Sequence, residues 1–422
     1  MLKTPINPEI GSASAVVETV DNVSAFRHLN EEWTELLRSS NSDRLFLTWE
    51  WLFTWWKHLA ENRRLSVLTV RESGELIALA PLCLKPATWS RARPFSTTQF
   101  LGTGHVGSDY LDLIVRAGRE QQAEQILTDH LVRLRETLHW TQIEKSSSSA
   151  ARVAGRLNAK HWRIGETKTN LCPFISLASH TWESYLDTLG SEQRYNFRRK
   201  WRRLNRDFNV SFDQAATAEH CREAIDVVFA LHELRRHDRG GSDAFHTPEL
   251  KEFHREFSAT ALDRGWLRLY ILRLNGRPVA CLYGFLYRRR FYFYQSGFDP
   301  AYEKYSVGLV LMGLTIQRAT EEGAVEYDLL HGAEDYKWRW TRQARELIRL
   351  ELDPPGIRGW VSSSTIELAR SAKRAFLRNS AGSTDNLVLP SSQDFERSDG
   401  CSRPVQLQIA PATVPPPGSL PS

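Results

Sequence analysis

Asp299, Tyr305, His331, Glu334, Asp335 and Lys337 lie within one short stretch of the chain, and each can give, take or steady a proton. Chemistry of that kind needs an acid or base whose pKa is moved toward neutrality by burial or by a neighbouring charge. His331 follows the apolar run 327–330 and precedes Gly332, the pattern of a strand that ends in a turn. Glu334 follows in the same loop and suits a base acting directly or through water. No partner for either is visible along the chain, so a solvated histidine and a catalytic one both stay open. Asp328 falls inside the strand, where anchoring the loop is the natural duty. Lys337 offers a compact positive charge for a carboxylate or phosphate, with a surface salt bridge as the alternative. Trp338 and Trp340 flank it and read as packing.

The elements that must position these side chains follow in unbroken order. Residues 291–294 form an aromatic strand, ended by the turn residues Gln295, Ser296 and Gly297. Ser306 stands where a helix N-cap belongs, 309–319 is an apolar helical run, and Gly323 occupies a C-terminal glycine position. Gly308, in the first turn, has no Cβ to obstruct an anion approaching the amides of Ser306, Val307, Gly308 and Leu309. A pyrophosphate fits such a helix start.

A second charged feature lies upstream. Arg194, Arg198, Arg199, Lys200, Arg202, Arg203 and Arg206 alternate with Phe197, Trp201, Leu204 and Phe208, so one helical face is apolar and the rest is basic. The basic face is either simply solvated or an anion-binding surface carried by Arg194, Arg198, Arg199 and Arg202. Its targets would be nucleotide phosphates, a lipid-linked sugar diphosphate or an anionic membrane. No RNP or KH motif accompanies it, which disfavours nucleic acid.

Several pieces in fixed order resemble one family. They are Asn275-Gly276-Arg277-Pro278-Val279-Ala280, Ser296-Gly297-Phe298-Asp299-Pro300, Tyr305-Ser306-Val307-Gly308, Tyr327-Asp328-Leu329-Leu330-His331-Gly332 and Asp335-Tyr336-Lys337, with weaker matches at Arg194-Tyr195-Asn196-Phe197-Arg198-Arg199 and Ser108-Asp109-Tyr110-Leu111-Asp112-Leu113. Together they resemble the CelD-like GNAT-type acetyltransferases, often encoded with bacterial polysaccharide-synthesis genes and distantly related to Fem-type aminoacyltransferases. The likeness spans about residues 23 to 345; the family's glycine-rich loop is reduced to Lys304-Tyr305-Ser306-Val307-Gly308, with Val307 in place of its common proline.

The resemblance implies a mixed α/β fold of two GNAT-like halves, each a central mixed sheet flanked by helices, with a donor site only in the second. It implies acetyl-CoA or another acyl-CoA as donor and no metal. Tyr294, Gln295, Ser296 and Gly297 would hold the pantetheine, and Ser306, Val307, Gly308 and Leu309 the pyrophosphate. His331, Glu334, Tyr305 and Lys337 would be the catalytic set. The acceptor implied is an amino group of a sugar, polysaccharide or cell-envelope precursor; transfer to a hydroxyl is a close variant. Association with a polysaccharide-synthesis complex or an anionic membrane surface follows from the same source. Two alternatives stand beside this reading: a Fem-like transferase using aminoacyl-tRNA, and a non-catalytic scaffold of a synthesis complex.

Bulk properties agree with such an enzyme. A chain of 422 residues exceeds one ordinary core, and the expected division is a leader at 1–22, halves at 23–170 and 171–355, a helix at 356–380 and a disordered Ser/Gly/Pro-rich tail at 381–422. Charged residues at 25% and hydrophobic ones at 41% suit a globular protein, and a net charge of +5 is too modest for a nucleic-acid coat. No run of 18 or so uncharged apolar residues and no signal-peptide core occur, so the expected location is cytoplasmic. The five cysteines are widely spaced without a CxxC pair, which argues for structural thiols over zinc or redox chemistry. The tryptophans of 49–56 read as core.

Overall fold

The computed structural model describes residues 15–87, 95–239, 244–356 and 408–409. In the first half the chain forms β1 (Val16–Val20), α1 (Val23–His28), α2 (Asn30–Arg38), α3 (Trp49–Leu59), β2 (Arg64–Leu65), β3 (Val67–Glu72), β4 (Glu75–Ala80), β5 (Leu82–Lys85), β6 (Thr97–Phe100), β7 (Ile114–Val115), α4 (Glu120–Leu134), β8 (Thr137–Glu144), α5 (Ser149–Ala159) and β9 (Arg163–Ser176). The second half adds α6 (Trp182–Thr188), α7 (Ser191–Asp207), β10 (Val210–Gln214), α8 (Ala218–Arg239), α9 (Pro248–Asp263), β11 (Leu267–Leu274), β12 (Arg277–Tyr287), β13 (Arg290–Phe298), α10 (Val307–Glu321), β14 (Glu326–Asp328), α11 (Asp335–Trp338) and β15 (Gln343–Asp353). Gln408–Ile409 forms β16, a short parallel partner at the start of β15.

The fold is mixed α/β, with two halves joined through their sheets. A small sheet runs β1-β3-β4-β7, and a long one runs β10-β11-β12-β13-β14-β9-β15-β8-β6-β5-β2. Strand β9 of the first half pairs with β14 of the second, and β15 of the second lies between β8 and β9 of the first. The hydrogen-bonded ladder is therefore continuous across the two halves, and residues 170 and 171, where a division was expected, fall inside β9.

Helices α6, α7 and α10 cover one face of the second half's sheet, where Phe197, Leu204, Val310 and Met312 pack with Tyr327. Helices α8 and α9 cover the other, with α3 of the first half meeting α9 through Trp51 against Phe253 and Phe257. Trp51 is fully buried and donates its indole N–H to Ser108 Oγ at 2.8 Å, so the tryptophan cluster is core, as read, and also steadies the loop before Asp109. Two glycines set the close approaches. A Cβ on Gly313 of α10 would collide with the Phe197 ring, and one on Gly297 would meet Leu231 and His232 backbone atoms of α8.

Several expectations need correction. Strand β13 does not end at 294; it continues through Phe298, pairing Gln295, Ser296 and Gly297 with β12, because Gly297 is held in the sheet by the crossing of α8. Ser306 stands at the N-cap position of α10 in the left-handed region (φ 57°), and its hydroxyl makes no cap bond; the backbone carbonyl accepts from Leu309 and Val310 instead. Part of the expected leader, Val16–Val20, is a β-branched strand paired with β3. Helix α4 stops at Leu134, where Arg135 turns left-handed (φ 52°) and Leu138 joins β8. The described cysteines, Cys83, Cys172, Cys221 and Cys281, are free and buried. The helix expected at 356–380 lies outside the described residues beyond Gly356, as does the expected tail apart from β16.

The Gly297 crossing gives a direct test. Its ideal Cβ lies 2.5 Å from His232 N and 2.6 Å from Leu231 C, both backbone atoms that cannot rotate away. Gly297→Ala is expected to destabilise the protein by about 1–3 kcal/mol in denaturant unfolding; unchanged stability would show that α8 and β13 separate freely.

Candidate active site

The site begins where two parallel strands part. β13 and β14 pair only at Arg290–Glu326, Phe291–Tyr327 and Tyr292–Asp328. Beyond them β13 stays with β12, while Leu329 and Gly332 turn away and donate to the Pro173 and Leu171 carbonyls of β9. Tyr294 is an extra residue on β13, since the register with β12 shifts between Phe293 and Gln295, and such a bulge deepens the divergence. The resulting wedge opens into a cavity of ≈ 970 Å³. Its walls come from both halves.

Asp328 fixes the far side of the wedge by accepting the Leu330 N–H at 2.8 Å, the anchoring duty read for it. Leu330 then adopts φ 55°, and Gly332 follows at φ 112°, a conformation costly for a side chain. Between them stands His331, and its partner is Asp109 of the first half. Asp109 is fully buried; it accepts His331 backbone N–H at 2.9 Å through Oδ2 and His331 Nδ1 at 2.9 Å through Oδ1, and Gln142 Nε2 donates to it at 2.8 Å. A carboxylate can only accept here, so the proton sits on Nδ1 and Nε2 is the basic atom. The Asp109 charge raises the His331 pKa above its ordinary value, against the opposing effect of burial. An oriented imidazole of raised basicity at a cavity wall can serve as a general base.

Lys337 is also drawn inward. Its ammonium donates to the carbonyls of His331 at 2.7 Å and Leu330 at 3.3 Å and pairs with Glu334 at 3.0 Å. All three of its N–H groups thus hold the loop, which makes it a positioning residue. Glu334 faces the cavity but spends its carboxylate on Lys337. Tyr294 donates its hydroxyl to the Val106 carbonyl and lies 3.3 Å from His254 Nε2, tying β13 to the first half's 104–108 loop. Burial drives the Tyr294 phenol pKa well up and lowers that of His254 to about 3, so both are neutral.

Other sequence-predicted residues lie elsewhere. Tyr305 is under α7, its ring beneath Arg203 and edge-on to Phe208, outside the cavity lining. Gln295 and Ser296 line the cavity, whereas Gly297 is buried against α8. Val307 is buried, and exposed Gly308 has only Phe298 Cδ1 at 3.8 Å from an added Cβ, leaving open space beside the start of α10. Arg194 pairs with Asp187, Arg199 with Asn196 and Arg202 with the Arg198 carbonyl, and none of the four predicted anion-binding arginines lines the cavity. Besides Lys337, cavity cations come instead from Arg63, Lys85, Arg235 and Arg349. Arg235 reaches Ser296 at 3.3 Å and stacks over Phe298 and Tyr336. These residues and Asp109 were missed as site residues; only Asp109 carried a signal, its place in the weakly matching Ser108-Asp109-Tyr110 segment.

Residues 191–338 carry an acetyltransferase (GNAT) domain. This match supports an acyltransferase, and Asp109 lies outside the matched residues. A crystal structure of FemX is similar over 76% of this chain and 95% of that one, with a TM-score of 0.54 at 11% identity. The DUF2156 domain at the C-terminus of a candidate lysylphosphatidylglycerol synthetase from Agrobacterium fabrum is similar over 82% of this chain and 96% of that one, with a TM-score of 0.50 at 11% identity. At such identities the likeness is one of fold. No curated protein sequence matches the chain, and among the described residues no helix is long and apolar enough to cross a membrane.

The Asp109–His331 pair has a pH signature. A base works only when neutral, so kcat/KM is expected to rise with pH through a limb above 6.5, the ordinary histidine value. Asp109→Asn removes the charge that raises the imidazole pKa, moving the limb to lower pH and reducing kcat on the order of 10²-fold. A limb that stays in place would take His331 out of the proton transfer.

Proposed function

We propose that the protein transfers an acyl group from acyl-CoA directly to an amino group of a sugar, polysaccharide or cell-envelope precursor, with His331 as general base. The observation that carries this reading is the Asp109–His331 pair standing at an open wedge between parallel strands. An open wedge also speaks against a purely scaffolding role.

The residues present suit such a donor. On the wedge side, β13 has no strand partner beyond Tyr292, so backbone groups from Phe293 onward are available to a pantetheine arm. The start of α10 offers the amides of Val307 and Gly308 beside open space, suited to a pyrophosphate. Bound acyl-CoA supplies the thioester carbonyl that the amine attacks. As the new C–N bond forms and the thioester C–S bond breaks, CoA departs as its thiolate. His331 Nε2 takes the proton of the attacking amine, Asp109 stabilises the imidazolium that results, the proton passes on to the departing thiolate, and Lys337 keeps the loop carbonyls from drifting. A bacterial enzyme serving polysaccharide synthesis is inferred from the CelD-like motif order, and a cytoplasmic setting from the sequence's lack of a long uncharged apolar run. For the exposed arginines of α7, which stand apart from the cavity, contact with an anionic membrane surface is the role we infer.

Isothermal titration with acetyl-CoA and longer acyl-CoAs is the test, with Gly308→Val as its partner. The added side chain has room against the protein, so the fold should survive while CoA affinity falls at least about tenfold, or roughly 1.4 kcal/mol. Absence of binding at any chain length, with salt-sensitive binding of aminoacyl-tRNA in its place, would transfer the protein to the Fem-like reading.

A further inference from the structure

Gln142 holds a backbone conformation that its residue type does not favour. Strand β8 carries one residue too many at this point: Trp140 and Ile143 pair with Leu350 and Ile348 of β15, so Thr141 and Gln142 together face Arg349. A bulge can place one of its residues in the left-handed region, where glycine is the usual occupant. Gln142 takes that place at φ 60°. A side chain kept at such a position points to a task for that side chain.

Its contacts show the task. Gln142 Nε2 donates to Asp109 Oδ1 at 2.8 Å, the same oxygen that accepts from His331 Nδ1 at 2.9 Å. The amide orientation is fixed from both ends, because the carboxylate can only accept and Asn170 Nδ2 of β9 donates to Gln142 Oε1 at 3.4 Å. The Gln142 backbone carbonyl accepts the Leu111 N–H at 3.0 Å, so one residue grips the 109–111 segment twice. Gln142 is half-buried and lines the cavity beside the base.

A carboxylate oxygen shared between two donors gives less of its charge to either. The amide N–H spreads charge that would otherwise stabilise the imidazolium, and it sets the positive end of its own dipole near Nδ1. The other groups facing the pair leave that balance to Gln142. Cys172 of β9 lies 3.8 Å from Asp109 Oδ2, and Tyr294 of β13 donates to the neighbouring Val106 carbonyl; burial drives the thiol and the phenol well up, so both are neutral. Tyr110 is neutral for the same reason, and Asp328 behind it is answered by Arg345 at 3.6 Å. Glu334 and Lys337 act on the ring in opposite senses and pair with each other at 3.0 Å.

We infer that Gln142 is a positioning residue of the base, which locks the Asp109 carboxylate toward His331 and draws off part of its charge. The imidazole is thereby held in place without being fixed in its protonated form. The catalytic meaning of this inference rests on the reading of His331 as general base. Its sign is definite. Removing the amide donor leaves Asp109 with more charge for the imidazolium, so the His331 titration midpoint rises, opposite to the effect of Asp109→Asn. A bond that only braced the fold would change stability and leave that midpoint where it is.

The test is a nitrogen-15 NMR titration of the His331 imidazole in the full-length protein, its resonance assigned by its loss in His331→Asn. Gln142→Gly and Gln142→Asn both suit a left-handed turn, and neither carries an amide long enough to reach Asp109; thermal unfolding verifies that they fold. The midpoint is expected to rise by about half a pH unit in each, a roughly threefold smaller neutral fraction at a fixed pH below it, with the kcat/KM limb moving to match. An unmoved or lowered midpoint in the two folded variants would overturn the inference. A raised midpoint beside a kcat/KM limb that keeps its parent position would uphold the role of Gln142 toward Asp109 and sink the general-base reading instead, so the two failures are told apart.

Discussion

Arg345 can occupy its place only if carboxylates from both halves meet it there. Its guanidinium pairs with Glu326 at 2.5 Å, approaches Glu144 and Asp328 at 3.6 Å each, and lies 3.9 Å from the centre of the Phe174 ring. Glu144 belongs to β8 of the first half, Glu326 and Asp328 to β14 of the second, and Arg345 itself to β15, the strand threaded between them. Burial pushes Asp328 up to about 6 while Arg345 pulls the other way, and Glu326 is held below the ordinary carboxylate range despite its burial. Groups this deep are costly to desolvate, and their return is specificity more than stability. An apolar strand slipped by one residue would still bury its surface; this network admits one register.

That register decides the chemistry. Asp328 sits at the last pairing of β13 with β14 and also caps Leu330, so its position sets where the strands part and where His331 turns out. Asp109, on the other half, must arrive within hydrogen-bond distance of His331 across 222 positions of sequence. A small displacement between the halves would leave the buried carboxylate with Gln142 but without the imidazole and amide of His331. The ladder continuing through β9 and β15 keeps the two halves rigid at that point.

Much of the fold was legible because local pattern and final environment agree. Phe197, Trp201, Leu204 and Phe208 mark the buried face of α7, and the aromatic strand at 291–294 and the apolar helix at 309–319 stand where the sequence places them. The strands that join the halves were not legible. β9 carries a solvated stretch before Cys172, and β15 mixes Arg, Glu and Leu in a way that resembles a charged helix, because ion pairs in place of apolar alternation satisfy its neighbours. The site divided the same way. His331 was found from its place after a strand, but its aspartate could not be, since nothing local to Ser108-Asp109-Tyr110 announces a partner. Ser306 misled because residue type suggested a cap where the backbone takes a left-handed turn.

The threading of β15 has a further meaning for how the chain comes off the ribosome. The first half has β8 and β9 in hand once Ser176 has emerged, yet the strand that lies between them is not made until Asp353. At ~5–20 residues per second, that interval is on the order of ten seconds or more. During it the first half holds two strand edges with nothing between them, the kind of exposed backbone that invites pairing with another chain. Polar side chains along β9, from Arg163 to Asn170, are suited to that wait. Completion of the first half is thus timed by the synthesis of the second, and the Asp109–His331 pair comes into being only as β15 closes.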